Sequence, residues 1–156
     1  ARRVKAYPWY ESMAPDTVAY TTRTAPCTRL GDTCSMLTDG ERKGYRPMVL
    51  EAHQVLTPEG DLYTDSPDSS VVMLGDSFTG VFQLEDCRHA GLSAHVAKGT
   101  GIPLDLIMAH GSGPQIRIRL ARRGHDAIAA KRLVIWTVVA RDLYHYRSPW
   151  SVIPLP

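Results

Sequence analysis

The residues of this sequence best suited to chemistry are Gly75-Asp76-Ser77, which directly follow the apolar run Val71–Leu74. Because that run lies between a polar cluster at 65–70 and a glycine, it predicts a strand buried on both faces of a parallel sheet. Ligands of such sheets bind beyond the carboxyl ends of the strands, so a serine placed there is a candidate nucleophile for acyl transfer. The alternative is that Ser77 or Asp76 only caps the following helix.

A second candidate feature is the loop His110-Gly111-Ser112-Gly113, which follows the next apolar run. Acyl transfer requires N–H groups directed at the oxyanion of the transition state, and glycines let the main chain approach an acyl oxygen closely. We therefore predict that Gly111 and Gly113 contribute to an oxyanion hole together with the N–H of Ser77. Because glycines also serve simply as turn residues between strands and helices, a structural role for this pair is an equal alternative.

The elements that must position these residues alternate between strand and helix from residue 71 onwards. In order, the pattern predicts a strand at 71–74, a helical stretch at 80–98 that Gly91 bends or splits, a strand at 105–109, a helix from Pro114 interrupted near Gly124, and a strand at 133–139. This βαβαβ pattern, clearest over 71–147, indicates an α/β fold with three α/β/α layers and a mainly parallel sheet. Right-handed crossovers put the strand ends at one edge, so Ser77, the 111–113 loop and Arg141-Asp142 are expected to meet.

The N-terminal part of the chain has a weaker pattern. Residues 1–28 combine prolines with aromatic residues and threonines and fit no period, so we expect an irregular lead-in. A short helix is expected at Arg29–Leu37, ended by Asp39-Gly40. Met48–Leu56 and 61–64 flank a turn sequence and predict a small β-hairpin.

Length and charge limit the classes of protein open to this chain. With 156 residues, 44% of them apolar, it suits a single domain over 1–156 with a substantial core. A net charge of +2 is too small for a nucleic-acid surface, and the arginines of Arg117–Arg123 are expected on the solvated side of a helix. No apolar run has the length of a transmembrane helix. Because the sequence begins with alanine, we expect a processed chain or a fragment of a longer protein.

Cofactor and metal sites are not indicated by any motif. Neither G-x-G-x-x-G nor a P-loop follows a predicted strand, which argues against a nucleotide-binding domain, and no cysteine or histidine pair has the spacing of a zinc site. The three cysteines, Cys27, Cys34 and Cys87, permit one disulfide in an oxidising compartment. Cys27 with Cys34 is a candidate pair, but spacing leaves the pairing open because separation in space decides it.

Three stretches of the sequence carry a family resemblance. The block Gly75-Asp76-Ser77-Phe78-Thr79 after a Val/Leu strand is similar to the first block of the SGNH (GDSL-like) hydrolases. Together with the loop 110–113, and with Lys131–Trp136 followed by Arg141-Asp142-Leu143, it resembles the SGNH-like domain of the bacterial alginate O-acetylation proteins. The resemblance covers roughly residues 29–147.

The resemblance implies a domain of the bacterial periplasm or cell surface that handles acyl groups. Such a domain acetylates or deacetylates an exopolysaccharide through an acyl-serine intermediate, with Ser77 as the nucleophile and the 111–113 loop in the oxyanion hole. It implies a polysaccharide substrate and an acyl donor protein or molecule as partners, with membrane-associated proteins as further candidates, and no cofactor. The glycan, the donor, the choice between transfer and hydrolysis and the oligomeric state stay open.

The base that would activate Ser77 is not evident in the sequence. In the family, an Asp-x-His element precedes the serine, whereas residues 1–76 contain none, and Thr137 stands where relatives often carry an acidic residue. Asp142 and His145 have the D-x-x-H spacing of ordinary SGNH hydrolases, but they follow the third strand too closely and are better interpreted as a surface loop. The remaining candidates have no carboxylate partner set by a motif: His53, His89, His95 and His125.

Two hypotheses follow for the role of Ser77. The first is an enzyme, in which this chain is the C-terminal part of a larger SGNH-like domain whose Asp/His element lies outside these residues, so that Ser77 is present but unactivated here. The second is a non-catalytic module that binds a polysaccharide or a partner protein, with the serine as a helix cap. Several aromatic residues near the strand ends suit stacking on sugar rings: Phe78, Tyr144, Tyr146 and Trp150.

Overall fold

The apolar run before Ser77 forms the central strand of a parallel sheet. The computed structural model describes residues 1–13, 17–111, 113–145, 150 and 152–154. Strand β3 (Val71–Gly75) has five residues and all of them are buried. It pairs in parallel with β4 (Asp105–Met108) on one side and with β5 (Leu133–Trp136) on the other, so the strand order within the described residues is β4-β3-β5.

Helices connect these strands, as the βαβαβ pattern predicts. In chain order the helices of the described residues are α1 (Arg2–Lys5), α2 (Tyr10–Met13), α3 (Asp32–Ser35), α4 (Asp39–Arg42), α5 (Ser77–Gly80), α6 (Leu92–Thr100), α7 (Ile116–Ala121), α8 (His125–Ala129) and α9 (Ala140–His145). A π-helical turn at Val81–Glu85 continues α5, and a 3-10 turn at Gly113–Gln115 leads into α7. None of these helices is long and apolar enough to cross a membrane.

Alternate side chains of β3 contribute to two separate cores, because successive strand residues point to opposite faces. Val71 and Met73 pack with Ala94 and Ala97 of α6 in one cluster. On the other face lies a cluster of Val72, Leu74, Ile107, Ala109, Ile116 and Leu120, which includes the buried residues of α7. Helices therefore cover both faces of the sheet, and the predicted three-layer α/β/α arrangement is confirmed.

The predicted helical stretch at 80–98 is divided where the sequence carries Gly91. After the π-helical turn the chain reverses and restarts as α6, with Gly91 packed against Gln83. A Cβ at position 91 would lie 2.5 Å from the Gln83 Cβ and 2.8 Å from its backbone nitrogen. Only a glycine allows this close approach, and the split that the glycine predicts is observed.

The N-terminal part contains a small antiparallel strand pair, as expected. The strand at Met48–Leu56, however, pairs mainly with a segment other than the predicted 61–64. Strand β2 (Met48–Leu56) pairs along its whole length with β1 (Thr21–Arg29), while 61–64 contribute only the bridge from Leu62 to Leu56. The interpretation of 1–28 as irregular is therefore wrong over β1. Most of β1 is exposed on both faces, so it lacks the apolar alternation that reveals a strand, although its threonines favour one.

The helical region before β2 also differs from the expectation. The helix predicted at Arg29–Leu37 is limited to α3, and Asp39-Gly40 begin α4 rather than ending the preceding helix. A capping box explains this start, because the Glu41 N–H donates to the Thr38 hydroxyl and the Thr38 N–H donates to the Glu41 carboxylate. The hydrogen bonds from Thr38 lower the pKa of the Glu41 carboxyl.

The disulfide joins distant parts of the chain rather than the nearby cysteines. Cys27 of β1 pairs with Cys87, which follows the π-helical turn, with a Cα–Cα distance of 5.2 Å, and Cys34 is the free cysteine. The candidate pair Cys27–Cys34 is therefore not the one formed. Next to the disulfide, Arg29 at the end of β1 forms an ion pair with Asp86, the residue before Cys87. The disulfide and the ion pair together attach β1 to the segment that follows Ser77.

A buried ion pair holds the opposite end of the sheet. Lys131, just before β5, places its ammonium 3.0 Å from a carboxylate oxygen of Asp105, the first residue of β4. The same ammonium donates to the backbone carbonyls of Pro67 and Ser69, which precede β3. One lysine thereby links the N-terminal ends of all three parallel strands.

Candidate active site

Ser77 is the first residue of α5 and lies at the carboxyl end of β3. The cap of this helix is Asp76, whose carboxylate accepts a hydrogen bond of 3.0 Å from the Phe78 N–H and is largely buried. Because Asp76 performs the capping role, the half-buried Ser77 hydroxyl is not needed for it. No side chain of the described residues forms a hydrogen bond with that hydroxyl. Ser77 is thus placed as the sequence predicts.

The turn at Ser77 is held by threonines on two neighbouring segments. The Thr79 hydroxyl bonds to that of Thr137, which in turn donates to the Leu74 carbonyl at 3.0 Å. Both hydroxyls lie against Gly75, where an added Cβ would be 2.5 Å from the Thr137 Oγ1 and closer still to Thr79. Thr137, which stands where an acidic residue is common in the resembled family, therefore has a structural role beneath Ser77.

Replacing Gly75 by alanine is expected to destabilise the protein by about 1–3 kcal/mol, because the methyl group would overpack this turn. The free energy of unfolding is measured by urea denaturation. Gly44→Ala is the matched control, since an added Cβ at Gly44 meets no atom within 4 Å. Equal stability of the two variants would contradict the close packing of Gly75 against the threonines.

Ser77 opens into a cleft of about 430 Å³. The cleft is lined by α5 and its π-helical continuation, by the β1 end and by the loop after β4, through Arg29, Met36, Ser77, Phe78, Val81, Phe82, Glu85 and His110. Phe78 is 69% exposed, with the Arg141 guanidinium 6.0 Å from its ring centroid. Phe82 carries Arg29 at 5.5 Å in the same way. The cleft therefore combines a hydroxyl, aromatic surfaces and cations.

His110 has a carboxylate partner inside this cleft. Its Nε2 lies 2.6 Å from Oε1 of Glu85, and both side chains are exposed, at 66% for His110 and 41% for Glu85. The two residues are 25 positions apart and belong to different elements, so no local motif predicts the pair. His110 was recognised in the sequence only as part of the glycine loop, and Glu85 was not singled out.

The predicted meeting of three strand ends is observed for the described residues. The Asp142 carboxylate of α9 lies against Gly113, 2.7 Å from the position of an added Cβ, and Arg141 lies over Phe78 next to Ser77. Gly111 and Gly113 both have left-handed backbone, with φ of 58° and 44°. Ser112 lies outside the described residues, and the oxyanion role of the two glycines stays a prediction.

Among the described residues, no histidine other than His110 lines the cleft at Ser77. Asp142 and His145 belong to α9 rather than to a surface loop, and the side chain of His145 lies outside the described part. His89 is half-buried and bonded to the Tyr63 carbonyl through Nδ1 at 2.7 Å. The remaining side chains are exposed, namely His53 beside Thr24, His95 on α6 and His125 beside Asp126.

Within the described residues, no group of three or more histidine, cysteine, aspartate or glutamate side chains is placed to hold a metal ion. Trp136 is partly buried against the core cluster of α7, with the Trp150 ring 5.3 Å away. Tyr144 is exposed on α9, whereas Tyr146 lies outside the description.

Comparison with known proteins identifies the fold. No protein-family model matches this chain, and no curated protein matches it significantly. Among solved structures, the O-acetyltransferase domain of Pseudomonas putida AlgJ matches with a TM-score of 0.57 and 16% identity, over 83% of this chain and 45% of that one. Pseudomonas aeruginosa AlgX matches with a TM-score of 0.58 and 12% identity, over 88% of this chain and 30% of that one. This chain therefore spans less than half the length of either protein, and it shares the fold of an O-acetyltransferase domain, as its SGNH-like motifs imply.

Proposed function

We propose that this chain is a serine-dependent O-acetyltransferase or acetylesterase domain that acts on a polysaccharide through an acyl-Ser77 intermediate. The observation that carries the proposal is the position of Ser77. It follows a fully buried parallel strand, it is relieved of the capping role by Asp76, and it opens into a cleft. The fold shared with an O-acetyltransferase domain supports the same reaction class.

In the proposed reaction, the Ser77 Oγ attacks the carbonyl carbon of an acyl donor and loses its proton to a base. The oxyanion that forms is stabilised by the Ser77 N–H with Gly111 and Gly113. Its collapse expels the donor alcohol and leaves an ester on Ser77. A sugar hydroxyl then takes the acyl group in transfer, or water takes it in hydrolysis.

The cleft is suited to a sugar chain next to this serine. Aromatic rings bind the apolar faces of sugars, and Phe78 presents such a surface directly beside the nucleophile. An acyl donor protein or molecule is the second partner of the reaction, and membrane-associated proteins are candidates for further partners. The Cys27–Cys87 disulfide supports a periplasmic or cell-surface location, because disulfides persist in oxidising compartments.

The proposal predicts that Ser77 is the residue that becomes acylated. The chain is incubated with 4-nitrophenyl acetate, and the modified residue is identified by peptide mass spectrometry. We expect one acetyl group on Ser77 and none in Ser77→Ala, while the exposed control Ser12→Ala behaves as the wild type. Ester hydrolysis that survives Ser77→Ala would contradict the proposal.

A non-catalytic sugar-binding module is the second candidate function. The exposure of Phe78, with Arg141 over its ring, favours it independently of the serine. In that case an oligosaccharide binds to the wild type and to Ser77→Ala with equal affinity, Phe78→Ala loses binding, and no acyl-serine forms. Isothermal calorimetry together with the acylation assay separates the two functions.

A further inference from the structure

The positions of His110 and Ser77 are related by the register of the sheet. Gly75, the last residue of β3, is paired directly with Met108, the last residue of β4, and two residues further along the chain lie Ser77 after β3 and His110 after β4. Ser77 and His110 therefore follow adjacent parallel strands at the same, carboxyl edge of the sheet. Both line the same cleft.

Glu85 is brought to His110 by the helical segment that Ser77 begins. Helix α5 and the π-helical turn run without a break from Ser77 to Glu85, and the segment packs over β4, with Gly80 against the Met108 side chain. The end of this segment therefore lies beside the loop that follows β4. As a result, Glu85 and His110 form their 2.6 Å contact within the cleft.

The contact leaves His110 with one basic nitrogen. When Nε2–H donates to the Glu85 carboxylate, a neutral imidazole carries its free lone pair on Nδ1. Within the described residues, Nδ1 has no hydrogen-bond partner. Glu85 therefore fixes the orientation of the ring and leaves Nδ1 as the nitrogen that can accept a proton.

We propose that His110, oriented by Glu85, is the general base that activates Ser77. The inference rests on the proposed acyl-transfer function and deepens it by naming the base. His110 Nδ1 takes the hydroxyl proton while the Ser77 Oγ forms its bond to the acyl carbon, and the imidazolium returns that proton to the departing donor alcohol. In the second half of the reaction, His110 takes a proton from the incoming sugar hydroxyl or water and returns it to Ser77. His110 is a catalytic residue, and Glu85 is a positioning residue.

The other charged or titratable side chains of the described residues near Ser77 are paired, occupied in the helix cap or outside the cleft, so His110 is the candidate base. The guanidinium of Arg29 lines the same cleft and is paired with Asp86. Asp76 is committed to the helix cap, and Asp142 lies against Gly113 and is not among the residues that line the cleft. His53 and His95 line a different cavity, beside Cys87.

The test measures the rate at which a fluorophosphonate probe labels Ser77 in the intact chain, because the probe reacts only with an activated hydroxyl. His110→Gln is expected to slow labelling about 10²–10⁴-fold, the usual contribution of a general base. Imidazole added to His110→Ala is expected to restore part of the rate. His95→Gln, an exposed histidine on α6, is the matched control and is expected to label at the wild-type rate.

Glu85→Gln tests the positioning role. It is expected to slow labelling in the wild-type background and to add nothing in the His110→Gln background, since a residue that acts through His110 has no effect without it. Both side chains are at the surface of the cleft, so the variants are expected to keep the wild-type melting temperature. Equal slowing in both backgrounds would assign Glu85 a purely structural role and contradict the proposal.

Three outcomes separate this inference from the proposed function. Labelling of His110→Gln at the wild-type rate overturns the inference and leaves the proposed function intact. A folded wild-type chain that is not labelled also overturns it, because the base would then lie outside these residues, as the first sequence hypothesis holds. Acetyl transfer that survives Ser77→Ala overturns the proposed function instead.

Discussion

Replacing Lys131 by methionine is expected to destabilise the protein by about 3–5 kcal/mol, because it leaves the Asp105 carboxylate buried without its cation. The side chains of the two residues are only 6% and 3% exposed, and their charges lie 3.0 Å apart. Arg123 lies 3.4 Å from the other carboxylate oxygen, but it is 39% exposed and therefore a weaker partner. The loss also removes the donor to the Pro67 and Ser69 carbonyls.

Urea denaturation of Lys131→Met measures this cost directly. Lys43→Met, at an exposed position, is the control, and its change is expected to stay within about 0.5 kcal/mol. The double variant Lys131→Met, Asp105→Leu is expected to regain part of the loss, since no charge is then left in the core. A cost below about 1 kcal/mol for Lys131→Met would show that Asp105 remains solvated.

Removing the Cys27–Cys87 disulfide is expected to lower the free energy of unfolding by about 4 kcal/mol, from the loop-closure entropy of the unfolded chain. The bond joins residues 60 positions apart, so it restricts a large part of that chain. It also attaches β1, with Arg29, to the segment after Ser77. We therefore expect the double variant Cys27→Ser, Cys87→Ser to be less stable. We also expect β1, whose Arg29 lines the cleft, to be attached less tightly to the segment after Ser77.

The comparison uses unfolding under non-reducing conditions, with Cys34→Ser as the control because Cys34 forms no disulfide. Wild-type protein with added reductant should match the double variant, and reductant should not change the double variant itself. If reduction leaves the wild-type unfolding midpoint unchanged, the bond does not contribute to stability. If Cys34→Ser alone reproduces the loss, the pairing is different.

Much of the parallel sheet and the place of Ser77 could be predicted from the sequence, because their signals are local. Val71–Leu74 is an uninterrupted apolar run that ends in glycine, and burial on both faces of a sheet requires that composition. Gly91 and Gly124 mark the helix breaks for the same reason, since a backbone conformation or a close approach that only glycine tolerates is visible in the residue itself.

The N-terminal strand pair and the disulfide could not be predicted in detail, because they depend on segments distant in sequence. Strand β1 has few buried side chains, so its pairing with β2 is determined by the backbone ladder rather than by an apolar pattern. Cys87 reaches Cys27 only because the chain reverses after the π-helical turn. Spacing left the pairing open, because geometry decides which thiols meet.

Ser77 was determined by the sequence alone, while the surroundings that would activate it were decided by the tertiary structure. A serine after a buried strand is a local pattern, and so is the glycine loop that follows the next strand. The contact of His110 with Glu85 requires the parallel register of β3 with β4 and the path of the segment that Ser77 begins. No interval along the chain encodes that contact, because it arises from the packing of a helical segment across a neighbouring strand.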